Sequence, residues 1–172
     1  MRINVDPVAL LEREHRMILD RLVMVETAMS SGSVRSGAVK RTNRETLREL
    51  VEFFAGPVDV HFTREAMLVG ALRRLLGRKQ EEQEQFQSFL DEHRALKADA
   101  TALLRQLSRK DSQDPAASTT CVGWRTLSRK LYALIRRYRE LIDSEERLLF
   151  PLAGMRLTAE QRRRLSRRML QV

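Results

Sequence analysis

The stretch His61-Phe-Thr-Arg-Glu65 decides how this chain is expected to fold. A histidine and a glutamate four residues apart lie on one face of an α-helix, one turn from each other. Apolar residues recur on that face at alternating steps of three and four, as in a bundle helix that faces its core. The pair is therefore expected to point inward, where an unpaired carboxylate is costly and must be neutralised. The full stripe is Leu47, Val51, Phe54, Val58, His61, Glu65, Leu68 and Leu72.

Three other segments carry stripes of the same period, and few polar residues interrupt them. Four amphipathic helices joined by short connections predict an all-α fold, an antiparallel up-down four-helix bundle. The first stripe is Val8, Leu11, His15, Ile18, Leu22, Val25 and Met29. The third is Phe86, Phe89, His93, Leu96, Ala100, Leu103 and Leu107, and the fourth is Leu127, Leu131, Leu134, Tyr138, Leu141, Glu145, Leu148 and Leu152.

Capping and helix-breaking residues predict where the first two helices begin and end. The first should begin at Asp6-Pro7 and fade near Ser31, followed by a linker up to Lys40. The second should begin at Asn43 and end near Gly77. Gly56-Pro57 should kink or split it just before the His61 pair.

The second half of the chain repeats this organisation and adds a short fifth helix. The third helix should begin within 79–85, and a polar loop should follow over 111–120. The fourth should open near Gly123-Trp124 and close at Pro151. Thr158-Ala-Glu-Gln161 has the pattern of a capping box for a C-terminal helix reaching about residue 171. We expect one domain over 1–172, with its core in 6–153 and a basic helix in 158–171.

Composition and charge narrow the class of protein. The 172 residues carry a net charge of +9, mostly from arginines that alternate with glutamates as on solvated helix faces. We expect no membrane span and a cytoplasmic location, because long apolar runs, a signal sequence and a disulfide framework are missing. A nucleic-acid partner is not expected, because the arginines alternate with glutamates and the sequence shows no DNA-reading motif. The basic run over 161–168 is the exception. It predicts either a contact with an anionic partner or a docked terminal helix anchored by Leu165, Met169 and Val172.

All three histidines of the chain occupy core-facing positions, and two glutamates join them. In an antiparallel hairpin His15 and His61 both lie about 24 to 26 Å from the same end, so the polar residues fall near one layer. A buried cluster of imidazole and carboxylate can bind a metal ion. Because thiolates are missing, the donor set favours iron or manganese over a structural zinc site. The alternative is a purely structural polar layer.

An internal repeat supports this layer. Glu-His-Arg occurs at His15 and again at His93, 78 residues later, and Glu65 and Glu145 are 80 residues apart. The same offset places leucine, Leu141, where a counterpart of His61 would stand. Two duplicated hairpins would supply six ligands, and this chain keeps five of them.

The set His15, His61-x-x-x-Glu65, His93 and Glu145-Glu-Arg-Leu-Leu-Phe-Pro151 resembles the hemerythrin-like HHE cation-binding family over residues 6–153. The resemblance implies an up-down four-helix bundle that holds a non-haem di-iron centre. It also implies that Glu65 and Glu145 bridge the irons, with His15 and His61 on one iron and His93 on the other.

Leu141 departs from the family pattern, since leucine cannot ligate a metal. Tyr138, one turn earlier on the same face, could supply a phenolate instead. Alternatively, water or an exogenous ligand fills the position, or only one metal binds at His15, His61 and Glu65, with or without Glu145. A metal-free, degenerate bundle is a further alternative. Glu14 and Glu92, beside their histidines, are expected to be surface residues. Asp143 and Glu146 also lie off the stripe, and recruiting either of them would need a distorted helix.

These observations lead to two competing expectations of function. The first is a non-haem iron protein with one or two ions that binds or senses O2, NO or peroxide, or handles iron. Manganese and zinc rank below iron, and only a weak peroxidase- or catalase-like activity is considered. The second is a metal-poor helical binding module that contacts an anionic partner through its basic C-terminal helix. Non-covalent haem on a core histidine is a third option. The oligomeric state is not predicted.

Overall fold

The computed structural model describes residues 5–31, 41–76, 80–108 and 121–172, and all regular elements in these ranges are helical. The predicted all-α fold is confirmed. The predicted linkers over 32–40 and 111–120, and the helix end near Gly77, lie outside the described residues. The elements are α1 (Pro7–Ser31), α2 (Arg41–Ala55), α3 (Val58–Leu76), α4 (Gln80–Ser108), α5 (Cys121–Ser144), a π-helical turn (Glu145–Leu149), α6 (Phe150–Arg156) and α7 (Ala159–Met169).

The helices form four antiparallel rods, made of α1, of α2 with α3, of α4, and of α5 with the π-turn and α6. Arg44, at the beginning of α2, donates from Nε to the carbonyl of Leu107 at the end of α4, 3.1 Å away. His15, early in α1, meets Glu146 beyond the end of α5. Such pairings between the start of one rod and the end of its neighbour show the up-down order of the bundle. Among the described residues, no helix is apolar and long enough to cross a membrane.

Two predicted helix boundaries in the first half of the chain are confirmed. Asp6 caps α1, because its Oδ1 accepts a hydrogen bond of 2.9 Å from the backbone N–H of Val8. Gly56 and Pro57 separate α2 from α3, as predicted from the missing N–H of proline. The chain re-enters a helix at once, since the N–H of Asp59 donates to the carbonyl of Gly56. The break therefore lies one turn before His61.

The core follows the predicted stripes closely. The stripe that contains His61 and the stripe that contains His93 are buried along their whole lengths. In the α1 stripe every residue is buried except Val8, which is half-buried. In the fourth rod the prediction holds from Leu127 as far as Glu145.

The prediction that Pro151 closes the fourth helix is wrong. The rod continues to Arg156, and Leu157 is the first extended residue, with φ −88° and ψ 126°. The five residues Glu145–Leu149 form a π-turn immediately before the proline. Pro151 then occupies the first turn of α6, where a residue without an N–H is tolerated because that group has no obligatory helical partner.

The π-turn also explains why the fourth stripe fails after Glu145. Leu148 is 49% exposed, whereas Leu149 and Ala153 are buried in place of the predicted Leu148 and Leu152. A π-turn holds about one residue more than an α-turn, so the buried face shifts by one position along the sequence.

The C-terminal helix α7 is docked on the bundle. It packs on α1 and α3 through the buried side chains of Leu165 and Met169. The predicted capping box is present: Gln161 N–H donates to Thr158 Oγ1 at 3.2 Å, and Thr158 N–H donates to Gln161 Oε1 at 2.8 Å. The expectation that Val172 anchors the helix is wrong, because that side chain is 46% exposed beyond the end of α7.

Replacing Thr158 with alanine should destabilise the protein by about 1 kcal/mol, because it removes the hydroxyl that satisfies one of the free N–H groups at the start of α7. Chemical denaturation of the native protein and the variant measures this difference. Thr158→Ser retains the hydroxyl and serves as the matched control. Equal loss of stability in both variants would contradict the capping role.

Candidate metal centre

Each of the four rods contributes to one buried polar cluster in the middle of the bundle. The structure brings together the five residues singled out by the sequence, and each is at most 5% exposed. The first three rods supply the histidines, and the second and fourth supply the carboxylates. The members of this His/Glu cluster are His15, His61, Glu65, His93 and Glu145.

Glu65 lies at the centre of the His/Glu cluster. Its Oε1 is 3.1 Å from Nε2 of His15. Its Oε2 is 3.2 Å from Nε2 of His61 and 3.1 Å from Nε2 of His93. One carboxylate therefore contacts all three imidazoles.

Glu145 spans the same interval from the opposite rod. Its Oε1 is 2.9 Å from Nε2 of His93, and its Oε2 is 3.5 Å from Nε2 of His15. Glu65 and Glu145 thus both reach from His15 to His93. This is the arrangement that two bridging carboxylates would need, as the family resemblance implies.

The donor atoms fall into two groups that share Glu65. In each group one ligand atom from each of three residues lies within 4.8 Å of the others. The first group is His15, His61 and Glu65, and the second is Glu65, His93 and Glu145. Two imidazoles with one carboxylate form a donor set that holds divalent metal ions with open positions, non-haem Fe(II) and catalytic zinc among them. The second group has one imidazole fewer.

Two carboxylates outside the His/Glu cluster hold the outer nitrogens of the imidazoles. Nδ1 of His61 lies 3.0 Å from Oε2 of Glu14, and Nδ1 of His15 lies 2.9 Å from Oε1 of Glu146. An imidazole that donates from one nitrogen to a carboxylate presents the other nitrogen as a lone pair toward a metal. The expectation that Glu14 is a surface residue is therefore wrong, because its side chain is only 13% exposed and holds His61.

The helix geometry explains how these two carboxylates reach the histidines. Glu146 lies inside the π-turn, the helix distortion that its recruitment was predicted to require. Glu14 sits beside the first stripe and reaches across to α3 rather than along its own helix. By contrast, Glu92 pairs with Arg137 at 2.7 Å, as expected for a residue outside the site.

Aromatic rings close the His/Glu cluster on two sides. Phe62 stacks on the ring of His93 with centroids 4.3 Å apart, and Phe150 stacks on His15 at 5.1 Å. Sequence analysis did not single out either ring as part of the site. Phe150 lies in the segment whose buried face the π-turn had shifted, so a regular period could not place it.

Leu141 and Tyr138 lie on the fourth rod one and two turns before Glu145, and both are buried. Leu141 brings no donor atom to the cluster. The hydroxyl of Tyr138 is buried with no hydrogen-bond partner among the described residues. Burial raises the pKa of Tyr138, so the phenol is neutral unless a cation is near. Ligation by Tyr138 stays a prediction.

The three histidines of the cluster hold protons when no cation is present, because the neighbouring carboxylates raise their pKa values. Burial alone would lower the pKa of His15, but hydrogen bonds and charges from Glu145 and Glu65 raise it to about 10. Burial opposes protonation of His61 and His93 as well, yet their carboxylate partners raise each pKa to about 9. In the metal-free protein, protonated imidazoles thus neutralise the negative charge of the buried carboxylates.

The two carboxylates themselves differ. Burial would raise the pKa of Glu65, but the charge of His61 and the close contacts of the three imidazoles lower it well below its usual range. Burial and the neighbouring charge of Glu65 raise the pKa of Glu145. Like charges in one buried site oppose joint ionisation, and a cation between them would relieve that repulsion.

Two oxygen atoms of the cluster provide a test of whether a cation fits. Oε2 of Glu65 and Oε2 of Glu145 are completely buried and have no well-aligned hydrogen-bond donor. Imidazole nitrogens lie 3.1 to 3.5 Å from these two atoms, close enough for charge pairing, but they are not aligned for a hydrogen bond. Buried acceptors without donors are costly, and a bound cation satisfies them. The residues present therefore fit a metal ion.

Comparison with known proteins agrees with this geometry. The family model of the hemerythrin HHE cation-binding domain matches residues 6–153, which include the whole His/Glu cluster and all four rods except the last three residues of the fourth. No curated protein matches the sequence. No solved structure matches it either.

Proposed function

The chain belongs to the hemerythrin HHE cation-binding domain family, and from this membership we propose that its His/Glu cluster binds non-haem iron. The observation that carries the proposal is the placement of Glu65, whose two oxygens lie 3.1 to 3.2 Å from Nε2 of all three histidines. His15, His61 and Glu65 would hold one ion. Glu65, His93 and Glu145 would hold a second, weaker one.

Iron is favoured over other cations by the chemistry of the donors. Imidazole with carboxylate and no thiolate suits iron and manganese, whereas structural zinc sites usually include cysteine. The outer carboxylates Glu14 and Glu146 increase the basicity of the imidazoles they hold. We rank manganese below iron because affinities rise from Mn²⁺ to Fe²⁺, and zinc below iron because the proposed role needs a redox-active ion.

The proposed role is to bind or sense O2, NO or peroxide, or to handle iron. An iron ion in this site would supply a redox-active centre with an open coordination position. The residues around it provide an enclosed setting for a small uncharged ligand, with Phe62 and Phe150 as apolar walls. The second group lacks an imidazole because of Leu141, which favours an open position there. We assign no enzymatic reaction to the site.

Metal analysis combined with optical spectroscopy tests the proposal. Protein reconstituted anaerobically with ferrous ion and exposed to air should retain stoichiometric iron and show a near-ultraviolet carboxylate-to-iron band. A Soret band would assign the site to haem instead. Protein that stays essentially free of iron after reconstitution would overturn the proposal.

Cation affinity should rise steeply with pH. In the metal-free protein the pKa of His15 is about 10 and that of His61 about 9, so both imidazoles carry a proton at pH 7. Binding of the first ion must release both protons, and affinity should rise by roughly 100-fold per pH unit below pH 9. Calorimetry with ferrous ion in buffers of different ionisation enthalpy counts the released protons. An affinity that does not change with pH would contradict this result.

Whereas cation affinity rises with pH, the stability of the metal-free fold should fall with pH, and the same two pKa values are the cause. Because folding raises the pKa of His15 and His61, their protons stabilise the fold fully below pH 6.5, and this stabilisation is lost as the pH rises through about 9 to 10. The melting temperature of the metal-free protein should therefore fall between pH 6.5 and about 10, whereas that of the iron-loaded protein should change less.

A further inference from the structure

A chain of hydrogen bonds connects the C-terminal helix α7 to the His/Glu cluster. Arg64 of α3 donates from Nε to the backbone carbonyl of Met169 at 2.8 Å. Its Nη1 donates to Oε1 of Glu14 on α1. The other oxygen of Glu14 lies 3.0 Å from Nδ1 of His61. Two side chains therefore separate the end of α7 from a proposed metal ligand.

The guanidinium group of Arg64 suits this connecting position. Its planar fork holds donors in fixed directions, so it can bond an acceptor on each side at once. The Met169 carbonyl belongs to the last turn of α7, where carbonyls have no partner within the helix and where a cation is favourable. The side chains of Arg64 and Glu14 are only 17% and 13% exposed, which reduces competition from water.

The contact lies on a part of the chain that the family match does not include. The match ends at residue 153, and α7 begins at Ala159. The helix is nevertheless anchored by Leu165 and Met169, so its position relative to α3 is defined by packing as well as by Arg64. A fixed helix end can orient Arg64, and Arg64 can in turn fix the carboxylate that orients the His61 ring.

We propose that docking of α7 and cation binding at the His/Glu cluster are coupled through Arg64 and Glu14, which act as positioning residues for His61. The inference rests on the proposed function, because it takes His61 as a ligand. Coupling of this kind is reciprocal: a helix that strengthens cation binding is itself stabilised by the cation to the same degree.

Hydrogen exchange of the full chain tests the coupling directly. Amide protection across 159–169 is compared between metal-free protein and protein loaded anaerobically with ferrous ion. Protection should rise by about 10-fold on loading, matching the loss of affinity expected when the support of a ligating histidine is removed. The amides of α2, which carries none of the three side chains Arg64, Glu14 and His61, show how much of the change is general stabilisation.

Three variants identify the route. Arg64→Met removes both hydrogen bonds, so it should lower ferrous affinity by about 10-fold and abolish the extra protection of α7. Arg64→Lys keeps a cation beside Glu14 but cannot bond two acceptors in a fork, so it should retain most of the affinity and lose the coupling. Arg162→Gln is the control, since it removes only the pair between α7 and Asp6 at 3.9 Å. It should leave both readouts unchanged.

The outcomes separate this inference from the proposed function. If the native protein binds ferrous ion but α7 is equally protected with and without it, the coupling is refuted while the metal site stands. If Arg64→Met retains the metal-dependent protection, the route through Arg64 is wrong. If no ferrous ion binds to the native protein, the proposed function itself fails.

Discussion

Replacing Glu65 with glutamine is expected to abolish iron binding. Glu65 is the only member of the His/Glu cluster that contacts all three histidines, and both groups of donor atoms include it. Glutamine has nearly the same shape, but its amide nitrogen donates hydrogen bonds and its charge is zero. The variant would lose a ligand from both ion positions at once, and the imidazoles would lose their central counter-charge.

The effect is measured as iron per chain after anaerobic reconstitution and desalting. Glu140→Gln is the matched control, because Glu140 lies on the fourth rod but its side chain is 67% exposed and pairs only with Arg136. Circular dichroism of both variants checks that the bundle still folds. Normal iron content in Glu65→Gln would show that the cluster is not the metal site.

Replacing Leu141 with histidine should raise the iron content from about one toward two ions per chain, because it restores the sixth ligand of a duplicated set. Leu141 lies one turn before Glu145 and is buried. In the native chain the second group has one imidazole and two carboxylates, and one of those carboxylates is shared with the first ion. An added imidazole would give the second position two imidazoles, as many as the first position has.

Leu134→His provides the comparison for this gain. Leu134 is buried on the same helix, about two turns further from Glu145, so the substitution introduces the same polar group away from the cluster. It should destabilise the bundle without adding iron. An unchanged iron content in Leu141→His, in a folded protein, would mean that residue 141 does not face the second position.

The hydrophobic period was sufficient to predict the rods and the level of the cluster. In each stripe from Leu11 to Glu145 the core-facing residues recur at steps of three and four. This period appears in the sequence because every position on that face of the helix is buried and is therefore apolar unless its polar group is paired. Histidine and glutamate at such positions are conspicuous, since they violate the pattern unless they neutralise one another. The fold and the membership of His15, His61 and His93 in one layer could therefore be predicted from the chain alone.

The outer carboxylates could not be predicted in this way. Glu14 and Glu146 lie beside the stripes, where surface glutamates are common, and their partners are on other rods. Their positions depend on how far one rod slides and rotates against the next, which is decided by the packing of all four. Glu92 stands next to His93 as Glu14 stands next to His15, yet it pairs with Arg137. The local sequence Glu-His-Arg is the same at both histidines, but the residues that neighbouring rods place beside the two glutamates differ.

The π-turn was also beyond prediction, although Pro151 marks its vicinity. A proline can end a helix, kink it or begin a new helical segment, and the hydrophobic period does not choose among these. Here the third outcome occurs, and the expected face of the rod is lost after Glu145.

The additional residue between Glu145 and Phe150 has a consequence for how such chains are compared and engineered. Removing one residue from a regular helix rotates all that follows by about 100°. A gapless alignment with a straight-helixed bundle would equate Leu148 with an interior position and place everything downstream one step out of register. Grafting the segment into an idealised bundle would likewise turn Phe150 away from His15 unless the graft carries all five residues of the turn. A graft must therefore include the whole segment Glu145–Leu149 and the Phe150 ring that follows it, and not Glu145 alone.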